Sequence, residues 1–346
     1  MFRGPNAKSR PCLAELDPVP HGKRMLELCK KRCTFRTLSY DCSMEFQTGE
    51  RMSSNGADAL ASVLPHILGE VSPADFFASY HGTTPLLRQA CAKWVASLAT
   101  DESCERLAAS DQVDFLVVRD GQPSSGGRPS LEQARELLQA GYTWVMRDAD
   151  RGDARLAEFG RVLASEVHGA LHLHVYRTPR ARVGFGWHFD PEEVFFFQTS
   201  GRKMLRLREN TTHPKPLLER MPTHLRATSE DAPIVEYLLE PGDWLYIPSG
   251  FWHSAEAVEE SISISAGILA PSYLDALAAV AYELAQDVQW RQRLFPIGRG
   301  NPLPEAERHR AWEEQLGRLA AEVSRRLTSP ASVAKIFAVT GWWKRR

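Results

Sequence analysis

From residue 171 onward the chain alternates apolar and polar positions in short runs closed by glycine or proline, the period-2 signature of half-buried strands. The pattern predicts strands at residues 171–176, 193–199, 203–208, 234–239, 244–247 and 261–268. Short strands with such breaks suit a jelly-roll or cupin shell. Between 209 and 233 the alternation lapses into an insert with Pro214, Pro216 and Pro222. A loop of that composition holds no fixed geometry, so its His213 and His224 are read as exposed.

Helical periodicity flanks this region. Ser72 before Pro73 is a candidate N-cap, and PLLRQACAKWVASLA spaces Leu86, Leu87, Cys91, Trp94 and Leu98 as a helix would. DQVDFLVVRDG predicts a strand, SLEQARELLQAG a helix capped by Ser130 and stopped by Gly141, and YTWVMRD another strand. The Gly- and Pro-rich loop at 121–129 suits either a substrate lid or a plain surface connection. Beyond Pro271, Tyr273, Leu277, Val280 and Leu284 keep one helix face apolar, and Trp312, Leu316, Leu319, Val323 and Leu327 repeat the pattern. Four segments follow: a polar N-terminal stretch at 1–57, an α/β lead-in at 58–170, a β core at 171–270 and a helical C-terminal extension at 271–346.

Composition narrows the class. With 346 residues, 43% of them hydrophobic and 25% charged, the chain has enough apolar mass for one sizeable core with additions at both ends. A net charge of -1 demands neither a nucleic-acid nor a membrane partner, so nucleic acid is compatible but not required. No apolar run has the length of a membrane span, and the N-terminal MFRGPNAKSRP lacks the apolar centre of a secretion signal, which makes a cytoplasmic location the expectation. Cys12, Cys29, Cys33, Cys42, Cys91 and Cys104 all precede the β core, at spacings unlike paired zinc knuckles, and are read as reduced thiols. The segment 23–33 reads as a short basic helix with a solvated face, and the twelve Lys/Arg against five Asp/Glu from Arg291 onward as a solvated basic tail ending in GWWKRR.

Three residues carry chemistry. His188 and Asp190 are one residue apart, so in an extended segment both project to one side while Phe189 projects to the other. A third ligand must come from a later strand. His253 stands there, after the turn Pro241-Gly242-Asp243, the run 244–247 and the break Pro248-Ser249-Gly250. A lone His-x-Asp pair occurs by chance in many chains, and a lone histidine after an apolar strand is more often packed. Joined in the PGDWLYIPSGFWH context, they point to metal. Two imidazoles and one carboxylate hold Fe(II) on one face and leave the other open for a chelating co-substrate and oxygen.

The stretches HVYRTP, GWHFDPEEVFFFQTSGRKMLRL and PGDW, within residues 76–270, resemble the JmjC-type cupin oxygenases, most closely the branch containing the bacterial and eukaryotic ribosomal oxygenases. The resemblance implies a mainly β fold, a double-stranded β-helix with flanking helices and a C-terminal helical extension. It implies Fe(II), 2-oxoglutarate and O2, and hydroxylation of a peptide or protein side chain with release of succinate and CO2. Methyl-lysine demethylation and hydroxylation of a small natural product are alternatives, and a catalytically silent cupin binding module is the non-enzyme one. Such a module would be expected to lose a metal ligand or the cation for the oxo acid, whereas His188, Asp190, His253 and Lys203 are all present.

By the same resemblance Lys203 meets the far carboxylate of the oxo acid. It follows the Gly201 turn, where the returning strand is expected to run beside the preceding one; Arg202 then faces solvent. Tyr176 matches a tyrosine that helps bind 2-oxoglutarate, with Thr178 and Pro179 as the strand exit. Ser265 matches a small polar residue near the co-substrate. His174 and Ser263 stand where relatives often carry asparagine, departures that suggest a rebuilt pocket. No catalytic residue beyond the metal site is assigned. His81 and Arg88 fall in a segment that builds scaffold in the family. The C-terminal helices either close the barrel or form a homodimer.

Overall fold

The computed structural model describes residues 60–167, 169–212, 214–215, 230–292 and 304–331. The strands are β1 Leu86–Arg88, β2 Asp114–Arg119, β3 Gln122–Pro123, β4 Thr143–Arg147, β5 Ala170–Thr178, β6 Glu193–Ser200, β7 Lys203–Arg208, β8 Val235–Leu239, β9 Trp244–Ile247, β10 Trp252–Ala257 and β11 Ser261–Leu269. The helices are α1 Leu64–Leu68, α2 Pro73–Ser79, α3 Asp101–Ala109, α4 Leu131–Gln139, α5 Ala154–Val167, α6 Tyr273–Leu284 and α7 Glu305–Leu327. An eight-stranded sheet runs β1-β9-β6-β11-β5-β4-β2-β3, and a three-stranded sheet runs β10-β7-β8. The strands pair antiparallel throughout, and the architecture is a double-stranded β-helix with flanking helices.

Alternation along the strands creates two cores. Phe195 and Phe197 of β6, Val175 of β5 and Trp244 of β9 point outward from the large sheet and bury against Leu64 and Ile67 of α1, Phe76 of α2 and Phe159 of α5. Trp244 Nε1–H donates to the Ile67 carbonyl at 2.7 Å, so the indole enters the core with its polar atom satisfied. The intervening Val194 and Phe196 point inward with Leu245 and Ile247, and meet Leu205 and Leu207 of β7 and Leu239 of β8. Both faces of β6 are therefore buried, which is why its sequence reads as a continuous apolar run. Each such side chain contributes about 1.5–3 kcal/mol by leaving water.

The structure corrects several expectations. Residues 85–99 do not form a helix: Leu86–Arg88 pairs with Trp244, Leu245 and Tyr246, and only a 3-10 turn at Lys93–Leu98 follows. The apolar pairs serve a sheet edge, Leu87 facing the inner core and Leu86 the helical layer. Ala90 ends the strand with φ 54, its N–H donating to Asp243 Oδ1 at 2.8 Å. The strand after Gly201 does not run beside β6; β7 pairs with β10 and β8 in the other sheet. Gly201, at φ 65, makes that crossing, and a Cβ there would run into the Glu260 carbonyl oxygen. Helix α5 is not among the expected elements, and β10 is expected only as the strand that carries His253. Helix α5 is nevertheless amphipathic, burying Leu156, Phe159, Leu163 and Val167 at helical spacing.

Other expectations match. Ser72 and Ser130 cap α2 and α4 through Asp75 N–H and Gln133 N–H. The loop at 121–129 is pinned, Arg128 donating to the carbonyls of Val113, Ala108 and Ser110, which favours a surface connection over a lid. Cys104 is buried, and burial pushes its thiol up to about 12, so it is inert. Among the described residues no helix is long and apolar enough to cross a membrane. The basic helix at 23–33, Cys12, Cys29, Cys33, Cys42, His213, His224 and the GWWKRR end lie outside the described residues.

Candidate active site

His188 and Asp190 lie on an extended segment between β5 and β6 that belongs to no ladder. Two isolated bridges fix it, Val183 with Glu256 and His188 with His253: His188 N–H donates to the His253 carbonyl at 3.1 Å, and His253 N–H to the His188 carbonyl at 2.7 Å. Gly250 N–H also donates to the Asp190 carbonyl at 2.9 Å. Phe189 turns the other way and meets Trp252 edge-on at 4.7 Å, as the i, i+2 spacing predicts. His253 is the second residue of β10 and faces the interior beside β7.

The side chains converge. His188 Nε2 is 3.9 Å and His253 Nε2 is 3.5 Å from Asp190 Oδ2, and all three donor atoms lie within 4.8 Å of one another. Each ring turns its Nδ1 to a carbonyl two residues back, His188 to Gly186 at 2.8 Å and His253 to Phe251 at 3.0 Å. A carbonyl only accepts, so Nδ1 carries a proton in both rings, and in the neutral tautomer each Nε2 offers its lone pair toward the carboxylate. Burial, then the neighbouring His188, hold His253 well below the usual imidazole range, with Asp190 opposing. Two imidazole nitrogens and one carboxylate converging in this way fit a divalent metal such as Fe(II).

The cleft over these residues is walled by Tyr176, Thr178, Phe185, Phe196, Lys203 and Ser265, with Thr143 and Gly184 at one side. Lys203 opens β7, points inward, and is 3% exposed. Its Nζ donates to Ser263 Oγ at 2.9 Å and Thr178 Oγ1 at 3.3 Å. Both partners are neutral, so burial lowers the ammonium from its ordinary 10.5 to about 7. A buried cation without an acid costs several kcal/mol until an anion arrives. Arg202, by contrast, is exposed and pairs with Glu259.

The remaining sequence candidates divide. Tyr176 and Ser265 line the cleft, the Tyr176 phenol raised by burial and by Asp190. Ser263 is buried behind Lys203. His174 shares the inward face two residues from Tyr176, but it does not wall the cleft and its Nδ1 accepts the Asp148 N–H at 3.3 Å. Burial lowers its imidazole. Thr178 ends β5, as a strand exit should, and its hydroxyl also holds the lysine; its period-2 relation to Tyr176 is the signal for that second role. Thr143 reaches the cleft only because β4 lies beside β5. His81 and Arg88 belong to the scaffold: His81 Nε2 is 2.9 Å from the Glu193 carboxylate, which also accepts the Tyr246 hydroxyl at 2.6 Å, and Arg88 is buried on β1.

Residues 152–276 match the JmjC domain family. Human ribosomal oxygenase 1 is 31% identical over 130 residues, 38% of this chain and 20% of the relative. The Drosophila simulans bifunctional lysine-specific demethylase and histidyl-hydroxylase NO66 is 26% identical over 231 residues, 64% of this chain and 27% of the relative. The chain thus spans about a fifth to a quarter of the length of these curated relatives. The Escherichia coli ribosomal oxygenase YcfD, solved with cobalt and 2-oxoglutarate, superposes with TM-score 0.55 at 19% identity, covering 77% of this chain and 70% of the other.

Proposed function

From the resemblance of this chain to JmjC-type oxygenases of the ribosomal branch, we propose that it is an Fe(II)- and 2-oxoglutarate-dependent oxygenase that hydroxylates a peptide or protein side chain. The observation that carries the reading is Lys203, a buried ammonium held by two hydroxyls and opening into the cleft that holds His188, Asp190 and His253. A dicarboxylate would neutralise it.

His188, Asp190 and His253 would hold the metal, and Lys203, with Thr178 and Ser263 behind it, would take the far carboxylate of the oxo acid. Fe(II) bound there supplies activation of O2 coupled to oxidative decarboxylation of 2-oxoglutarate to succinate and CO2, and oxygen transfer to a C–H bond. The Nδ1–carbonyl bonds fix both imidazoles, so neither ring spends entropy turning to its task. Val194, Phe196, Leu205, Ile247 and Ala255 give the cleft an apolar lining beside its polar groups. Tyr176 and Ser265 lie on the inward face of β5 and β11, in reach of a co-substrate or substrate bound in the cleft. A protein substrate is supported by the names of the relatives, ribosomal oxygenase and histidyl-hydroxylase. The lysine-specific demethylase activity in the NO66 name supports demethylation as a second reading.

Anaerobic Fe(II) titration followed by succinate release from 2-oxoglutarate over a panel of ribosomal-protein peptides tests this. Wild type is expected to turn over well above Asp190→Ala, with a product 16 Da heavier; formaldehyde release would mark demethylation instead. Turnover equal to that of Asp190→Ala across the panel sinks the oxygenase reading.

A further inference from the structure

His188 sits on a segment held outside any ladder by isolated bridges and single hydrogen bonds, to which side-chain contacts of its flanking residues add. Its two neighbours are held by one cross-strand pair on the outer face of the small sheet. Trp252 and Arg208 are register partners between β10 and β7. Phe189 packs on Trp252, and the Arg208 guanidinium lies 4.2 Å over the ring of Trp187. Arg208 is itself fixed: its Nη1 donates to the Glu230 carbonyl. The Glu230 side chain, buried, accepts from Thr211 N–H at 2.8 Å, Thr212 N–H at 3.3 Å and Ala232 N–H at 3.2 Å, closing the neck of the insert between β7 and β8.

We infer that Arg208 is a positioning residue for the metal centre: by stacking on Trp187, and through Glu230, it ties the neck of the insert to the segment that presents His188. A planar guanidinium over an indole gives both attraction and a fixed plane, which an ammonium does not. Trp187 is 37% exposed, and the guanidinium covers its ring at 4.2 Å. Loss of the stack would free Trp187 and let His188 drift while His253, anchored in β10, stays in place. Arg206, two residues back on the same outer face, supplies the contrast, since it pairs with Glu236 and Glu256 and touches neither flank of His188.

The inference rests on the metal reading, and binding of Co(II) alone, followed by visible absorbance in the full chain, separates the two. Arg208→Ala and Trp187→Ala are each expected to weaken Co(II) binding by about 10-fold, the lower end of the cost of removing a direct partner of a ligand, because neither side chain bonds His188 itself. The double variant should bind no more weakly than the weaker single, and Trp187→Phe should recover part of the loss. Arg206→Ala should match wild type. Co(II) binding by Arg208→Ala within about twofold of wild type overturns the inference and leaves the metal reading intact. If Arg208→Ala loses its near-ultraviolet circular dichroism, the Trp187→Ala and Trp187→Phe pair decides on the same criterion. Wild type that binds no Co(II) overturns both.

Discussion

Lys203 Nζ stands 2.9 Å from Ser263 Oγ, joining the first residue of one sheet's middle strand to the strand β11 of the other. The bond crosses the barrel interior and leaves the ammonium without an acid. Because burial lowers the folded pKa to about 7 against an ordinary 10.5, the charged form is penalised on folding. That penalty is complete below pH 7 and fades as pH rises toward 10.5, so the ligand-free protein gains stability across that window. Ser263→Ala removes one acceptor and should cost about 1–3 kcal/mol at pH 6, and less at pH 9, where the amine is neutral. Urea unfolding at the two pH values measures this; equal losses would contradict the assignment.

Lys203→Met should separate stability from binding. An apolar chain of similar length relieves the buried charge, so the ligand-free melting temperature should hold or rise. Affinity for 2-oxoglutarate should fall by about 100-fold or more, in line with truncating one partner of a buried charge pair. Calorimetry in buffers of different ionisation enthalpy should also show wild type taking up close to one proton at pH 8, because the dianion raises a pKa that starts near 7. Unchanged affinity in Lys203→Met would remove the lysine from the site.

Gly201 makes the sheet-to-sheet crossing that delivers Lys203. Alanine there meets both a positive φ of 65 and the Glu260 carbonyl. Gly201→Ala is expected to cost about 1–3 kcal/mol in denaturant unfolding. Gly126→Ala, with open space around its Cβ, should cost little. Similar costs at the two positions would refute the strain argument.

The C-terminal helices bury Val280 and Leu284 but expose Tyr273 at 99%, along with Leu277, Tyr282, Trp312 and Leu316. The homodimer expected from the sequence would use the exposed Tyr273 and Leu277 of α6 and Trp312 and Leu316 of α7. Leu316→Glu should then shift sedimentation from dimer toward monomer without lowering the melting temperature of the catalytic core. A wild-type chain that sediments as a monomer at micromolar concentration would exclude the dimer.

By itself the sequence determined the alternation that makes β5 to β9 and β11, the glycine and proline breaks between them, and the pairing of His188 with Asp190 on one side of an extended segment. These follow from period-2 geometry and from residue-specific backbone limits, which are local. The C-terminal helices were equally legible from a 3.6-residue period. Tertiary structure alone decided that Leu86–Arg88 is a sheet edge and not a helix, because an apolar pair satisfies either period and only the neighbouring β9 selects one. It alone placed β7 opposite β6 instead of beside it, through the strained turn at Gly201, and so brought Lys203 to Thr178 and Ser263. It alone gave His188 its neighbours, since the Trp187–Arg208 stack joins residues 21 positions apart on different elements. Contacts of that kind depend on which strands meet, and no local rule along the chain encodes it.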